Sequence, residues 1–383
     1  NKKEEMSIEL LKPINDDIIN LANSNKIGSI GEKIQIHTSR LGFPDLESTD
    51  VAIIGISENR NSYFESIDFN LSNFRNEFYK LNLGKWRKSI SDLGNLPDGE
   101  STKDTYHAIT EICLFLREKN IITILIGGSN DIIFPIFKSY NDFNKKVNIV
   151  SIDNQFDLHQ EEDLLSSRSY MNKIIIDDSS KLNDFTNLGY QRHLCSPSEI
   201  DLMEKLFFDY ISLGDLIGND KCAEPILRDA HIIGLDMKAL SWVSSGDSEY
   251  GNPNGIDSRL ICILSRYSGI SDKCKYFGLF ELLNNSISTK LYAQIIWYFI
   301  EGVNSRFSEP TFSDESGFIR YNVSVSGRDL IFIKSKESER WWLEIILSEK
   351  NVNKRYLPCL ESDYISALNN NIPERWLRAV KRI

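Results

Sequence analysis

The sequence predicts an α/β protein: a three-layer α/β/α arrangement around a parallel sheet of about eight strands, with a small C-terminal antiparallel β appendage. Three observations predict it. Apolar runs of strand length recur along the chain, with amphipathic helical stretches between them. The runs are almost continuously apolar, as strands covered on both faces must be. Near residues 320–347 the pattern changes to an alternation of period two, broken by short polar or Gly turns.

In chain order the strand candidates are "DVAIIGI" (50–56), "IITILIG" (121–127), "VNIVSID" (147–153), "NKIIID" (172–177), "DFTNLGY" (184–190), "HIIGLD" (231–236) and "YFGLFEL" (276–282). "FDYISLG" (208–214) reads either as a strand or as the close of a helix. Helices fall between them. "STKDTYHAITEICLFLREKN" (101–120) opens on Ser and Thr caps and stops at Asn120. "SPSEIDLMEKLFFD" (196–209) carries Pro197 near its first turn, "SRLICILSRYSG" (258–269) ends at Gly269, and "STKLYAQIIWYFIEG" (288–302) ends at Gly302. "RYNVSVSG", "RDLIFIKSK" and "RWWLEIIL" read as a three-strand meander, with two short helices after it. The expected divisions are an N-terminal extension (1–47), the α/β domain (48–308) and the appendage with its helices (309–383).

Composition narrows the function classes. The 383 residues are 41% hydrophobic and 26% charged, values of a soluble globular protein. A net charge of −11 argues against nonspecific nucleic-acid binding, which needs a cationic surface. The basic segment "IPERWLRAVKRI" (372–383) reads as a short helix with Trp376 facing inward. No apolar run reaches the ~18–20 residues of a membrane span, and "NKKEEMSIELL" lacks the apolar core of a signal peptide. Cys113, Cys195, Cys222, Cys262, Cys274 and Cys359 form no C-x-x-C pair, and most lie in apolar runs. Reduced thiols in a cytoplasmic protein are the expectation.

Chemistry is expected where buried parallel strands end. "IITILIGGSNDII" breaks at Gly127-Gly128 and delivers Ser129, Asn130 and Asp131. The plain alternative is a tight strand-to-helix turn capped by Ser129 or Asn130. "VSIDNQFDLH" gives Asp153, Gln155 and Asp157, of which Asp153 and Asp157 could also be loop residues bonding their own backbone. "IIGLDMKALSW" gives Asp236 and Lys238, two apart and so on one strand face. Parallel strands place their C-terminal ends side by side, so these groups should converge.

In this order the three stretches resemble the arginase/agmatinase/formimidoylglutamase superfamily, whose motifs Gly-Gly-Asp-His-Ser, Asp-Ala-His-x-Asp and Ser-x-Asp-x-Asp each follow a buried strand. "FPDLESTDVAIIGISENRN", "LIGGSNDI", "AEPILRDAHIIGLDMKAL", "NPNGIDSRLICILSRYSGISDKCKYFGLFEL", "AQIIWYFIEG" and "SERWWLEI" carry the likeness, which looks closest to a bacterial formimidoylglutamase-like branch and covers most of the chain. It implies the arginase fold. It also implies a site in which two histidines and four aspartates hold a pair of Mn²⁺ ions that lower the pKa of a bridging water.

Carried over by position, the first ligand histidine falls on Asn130. The second motif falls on Asp153, Gln155 and Asp157, and the last pair of aspartates on Asp236 and Lys238. Glu281 matches the acidic residue that contacts the substrate guanidinium, and Asn254, in "NPNG" (252–255), matches the substrate-side loop. An amide is a weak Mn²⁺ ligand and an ammonium is none. His231 begins its strand, roughly 16 Å from the edge at about 3.3 Å per residue. His159, two residues past Asp157, is the histidine that could turn toward the site.

The resulting expectation is an arginase-fold pseudoenzyme without the binuclear Mn site or any cofactor. It would act in the cytoplasm as a protein-interaction or ligand-binding protein, with a protein partner or a homo-oligomer and no nucleic acid. The alternative is an active formimidoylglutamase-type hydrolase of a linear amidine, with Mn in an altered site or a weak oxygen-only Mg or Ca site.

Overall fold

In the computed structural model, residues 7–23, 27–62, 69–140, 146–159, 165–247, 251–348 and 353–382 are described. Runs of β-branched and aliphatic residues set the main sheet. Its strands are β1 (Gln35–Ile36), β2 (Val51–Ile56), β3 (Ile90–Leu96), β4 (Ile122–Ile126), β5 (Val147–Ile152), β6 (Leu182–Tyr190), β7 (Asp209–Ser212), β8 (Ile232–Asp236) and β9 (Tyr276–Phe280). All neighbours pair in parallel, in the order β1-β3-β2-β4-β9-β8-β5-β6-β7.

Successive residues of these strands feed two different cores. Ile53, Ile124 and Val150 face one side, and Ala52, Leu125 and Ile149 the other. Helix Thr102–Glu118 covers the second face with Ile109, Ile112 and Leu116. Helices Ser258–Ile270 and Ser286–Asn304 cover the first with Ile261, Leu264, Ile295 and Phe299. The segment before residue 48 contributes β1 and packs Ile14, Ile18, Ile30 and Ile34 into the first core.

Several expectations need correction. "NKIIID" (172–177) is not a strand but lies in the helix Tyr170–Asp178. Tyr170, Met171 and Ile174 are buried at helical spacing, while Ile176 is 70% exposed. β1 and β3 escape the sequence reading, which makes nine strands among the described residues rather than about eight. "ISDLGNL" looks unlike a strand because Ser91, Asp92 and Asn95 interrupt it. The fold satisfies them from a distance: Arg75 donates to both Asp92 oxygens (2.8 and 3.0 Å) and to Asn95 (2.8 Å), and Tyr79 donates to Asp92 (2.8 Å). The uncertain 208–214 stretch divides into β7 and the helix Leu213–Gly218.

The appendage has four antiparallel strands rather than three: β10 (Phe318–Val325), β11 (Arg328–Ser335), β12 (Trp341–Ser348) and β13 (Asn353–Cys359). β13 was missed because its start is polar and it contains Pro358, a residue tolerated near a sheet edge. Trp341 and Trp342 sit on opposite faces of this sheet, and helices Glu361–Leu368 and Glu374–Lys381 close the chain. Among the described residues no helix is long and apolar enough to cross a membrane.

Candidate functional site

The chain leaves β4 for β5, three positions away, and β8 and β9 later fill the gap. The four adjacent strands β4, β9, β8 and β5 therefore bring their C-terminal ends together where the chain order breaks, the crevice in which open α/β sheets place ligands. Leu235 pairs with Ile152 and Asp236 with Phe280, so Asp153, Asp236 and Glu281 emerge side by side.

The turn after β4 needs both of its glycines. Gly127 (φ +96°) and Gly128 (φ +76°) have left-handed backbones, and a Cβ would lie 2.4 Å from the Ile56 carbonyl oxygen and 2.6 Å from that of Glu58. Asp157 (φ +52°) and Glu281 (φ +54°) hold the same conformation without being glycine. That costs about 1 kcal/mol or more each and clusters at functional sites.

Asp153, Asp157 and Asp236 are fully buried, and each offers a carboxylate oxygen within 4.8 Å of the others. Lys238 lies among them, its Nζ 2.7 Å from Asp236, 3.4 Å from Asp157 and 3.5 Å from Asp153. Asp157 receives a hydrogen bond from this ammonium and another from Asn130 Nδ2, at 2.9 Å. Asp236 Oδ1 accepts the backbone N–H of Lys238 at 2.8 Å, which fixes the short 3-10 turn Met237–Ala239 and the lysine's point of attachment. Glu281 accepts from the Asn130 backbone at 3.2 Å and from the Ser62 hydroxyl.

The other expected residues divide. Ser129 and Asp131 are buried together, the Ser129 hydroxyl donating to the Asp131 carboxylate, which also accepts from Tyr106 and Asn61. Neither Ser129 nor Asn130 caps the following turn through its side chain. Gln155 sends its amide to the Leu194 carbonyl at 3.2 Å, and Asn254 uses its carbonyl to accept from Gln191. His159 turns to Glu199, Nδ1 to carboxylate 3.3 Å, and lines a separate depression of about 210 Å³ with Ser196 and Ser198. His231 stays at the far end of β8, where Asn148 donates to its ring at 3.1 Å, and burial pushes its pKa down to about 4. Asn61, Ser62 and Tyr106 were missed. The polar run that follows β2, a strand ending at the same edge, was the available signal for Asn61 and Ser62; Tyr106 comes from the helix Thr102–Glu118.

The arginase family model matches residues 49–231 of this chain. Among solved structures, Trypanosoma cruzi formiminoglutamase with Mn²⁺ is similar with a TM-score of 0.61 and 13% identity, covering 69% of this chain and 100% of that one. Formimidoylglutamase from Bacillus subtilis (TM-score 0.60, 12% identity) covers 76% and 99%. Agmatine ureohydrolase of Thermoplasma volcanium (TM-score 0.56, 15% identity) covers 74% and 96%. No curated protein sequence matches. The chain has the arginase fold.

Within that fold, the electrostatics of this edge are those of one cation among several acids. Burial drives the Asp153 carboxyl well above its ordinary range, and repulsion from Asp157 adds to the rise. Burial likewise lifts Asp236 to about 6 against the pull of Lys238, and lifts Glu281 to about 7 with help from Asp236. Burial alone would lower the Lys238 ammonium; Asp153, Asp157 and Asp236 outweigh it and raise its pKa well above the usual value. The residues present do not fit a pair of Mn²⁺ ions. The carboxylates are suitable donors, but the remaining positions offer two amides and an ammonium that already contacts all three acids.

Proposed function

We propose that this arginase-fold chain is a pseudoenzyme: it has given up the binuclear metal site and works in the cytoplasm by binding a partner protein or a small polar ligand. The observation that carries the reading is the Lys238 ammonium, seated 2.7–3.5 Å from Asp153, Asp157 and Asp236. Hydrolysis of an amidine or guanidine in this superfamily depends on a metal-activated water, and a protonated lysine neither binds nor activates a water as a Lewis acid does. Exposed apolar side chains near the same edge support a binding role. Trp242 (46% exposed), Val243 (68%) and Ile287 (54%) lie at the starts of two helices that meet at Gly246.

A second reading, an active hydrolase of formimidoylglutamate or a related linear amidine, is favoured by the retention of Asp153, Asp157, Asp236 and Glu281. The two are separated by assay. The protein is incubated with excess Mn²⁺ and either formimidoylglutamate or agmatine, and release of glutamate or urea is followed. No release above the protein-free control is expected. Turnover that scales with protein concentration would replace the first reading with the second.

A further inference from the structure

Two features of the charge cluster go beyond the presence of a lysine in it. The first is donor type. Each group aimed at the centre is a hard oxygen: one carboxylate oxygen each from Asp153, Asp157 and Asp236, within 4.8 Å of one another, with no imidazole or thiolate among the described residues there. The second is how few donors answer the buried acceptors. Among the described residues, Asp153 Oδ2 and Asp236 Oδ2 meet one cationic donor, the Lys238 ammonium, at 3.5 and 2.7 Å. Asn130 Oδ1, on a side chain with no exposure whose Nδ2 is bonded to Asp157, has no partner among the described residues. A buried oxygen without a donor is rare in folded proteins, and this one belongs to a side chain bonded into the charge cluster.

We propose that Lys238 is a tethered cation: the cluster is a cage for one positive charge, closed to free ions while the ammonium fills it, and able to take a single Mg²⁺ or Ca²⁺ once the ammonium is removed. This rests on the pseudoenzyme reading and deepens it by naming what holds the emptied site together. The lysine is anchored for the task, since its own backbone N–H is gripped by Asp236, and only 6% of its side chain is exposed. An all-oxygen donor set selects Mg²⁺ or Ca²⁺ over ions that favour nitrogen and sulfur.

The test compares wild type, Lys238→Ala and Lys238→Gln by thermal unfolding. Each is measured in MgCl₂, in CaCl₂, in ethylammonium chloride and in NaCl of matched ionic strength. Wild type should melt at the same temperature in all four. The Ala variant should melt lower in NaCl and recover at least half of the loss in millimolar Mg²⁺ or Ca²⁺, or in ethylammonium, which restores the missing head group. Calorimetry on the Gln variant, in which an amide of similar reach keeps the space filled, should detect Ca²⁺ or Mg²⁺ binding that wild type lacks. Variants that respond to none of these cations beyond the NaCl control would overturn the tethered-cation proposal. That failure is distinct from failure of the pseudoenzyme reading, which would appear as turnover by wild type.

Discussion

Replacing Lys238 with Met removes the charge and keeps most of the volume. At an effective dielectric near 20, contacts of 2.7, 3.4 and 3.5 Å are attractions of about 5–6 kcal/mol each. Carboxylate oxygens up to 4.8 Å apart repel by roughly 3.5 kcal/mol or more per pair. At these separations the three attractions offset the mutual repulsion of the acids, and desolvation takes back part of the gain. Without it the acids must take up protons. Neutralising one aspartate at pH 7 against an unfolded pKa near 3.9 costs roughly 4 kcal/mol, which matches the ~3–5 kcal/mol typical of breaking a buried ion pair. The sign with pH follows. In the variant the folded state binds more protons than the unfolded chain above about pH 4, so its stability falls as pH rises, by about 1.4 kcal/mol per unit per proton. Urea unfolding followed by circular dichroism at pH 5.0 and 7.5 measures this. The gap to wild type should be ~3–5 kcal/mol at pH 7.5 and clearly smaller at pH 5.0. Equal midpoints at pH 7.5, or a gap independent of pH, would refute the reasoning.

Three further outcomes are expected. Glu281 is pushed up to about 7, so it costs wild type stability as pH rises from about 4.5 through 7; Glu281→Gln should flatten the stability profile between pH 5 and 8 by about 2–3 kcal/mol in urea titrations. Gly269→Ala would put a Cβ 2.0 Å from the Phe299 carbonyl oxygen, where helices Ser258–Ile270 and Ser286–Asn304 touch; a loss of about 1–3 kcal/mol in the same titration is expected, and no loss would mean the helices can part freely. Asn130→His, Gln155→His and Lys238→Asp together should give Mn²⁺ binding by calorimetry that no single change gives; a folded triple variant that binds none would mean the backbone has also departed from a ligating arrangement.

The inner strands were legible because burial on both faces leaves a mostly apolar run, as in β2, β4, β8 and β9. β3 was not, because the partner that makes Asp92 tolerable is Arg75 on a helix 17 residues away, and no local pattern announces it. The Ile174–Ile176 run misled because three adjacent isoleucines satisfy a strand and a helix equally; which of them is buried is decided by what the segment packs on. At the site, convergence of Asp153, Asp236 and Lys238 followed from strand direction and register. The direction of Gln155 and His159 did not. They lie beyond the end of β5, where alternation no longer applies, and the left-handed turn at Asp157 redirects the chain before His159.

The central claim is that one lysine ammonium, not metal, balances this edge. Metal analysis by plasma mass spectrometry tests it most directly, on wild-type protein produced with Mn²⁺ in the medium and purified without chelator. The account predicts Mn far below one ion per chain, unchanged after incubation with excess Mn²⁺ and desalting. Stoichiometric Mn that survives desalting would contradict it.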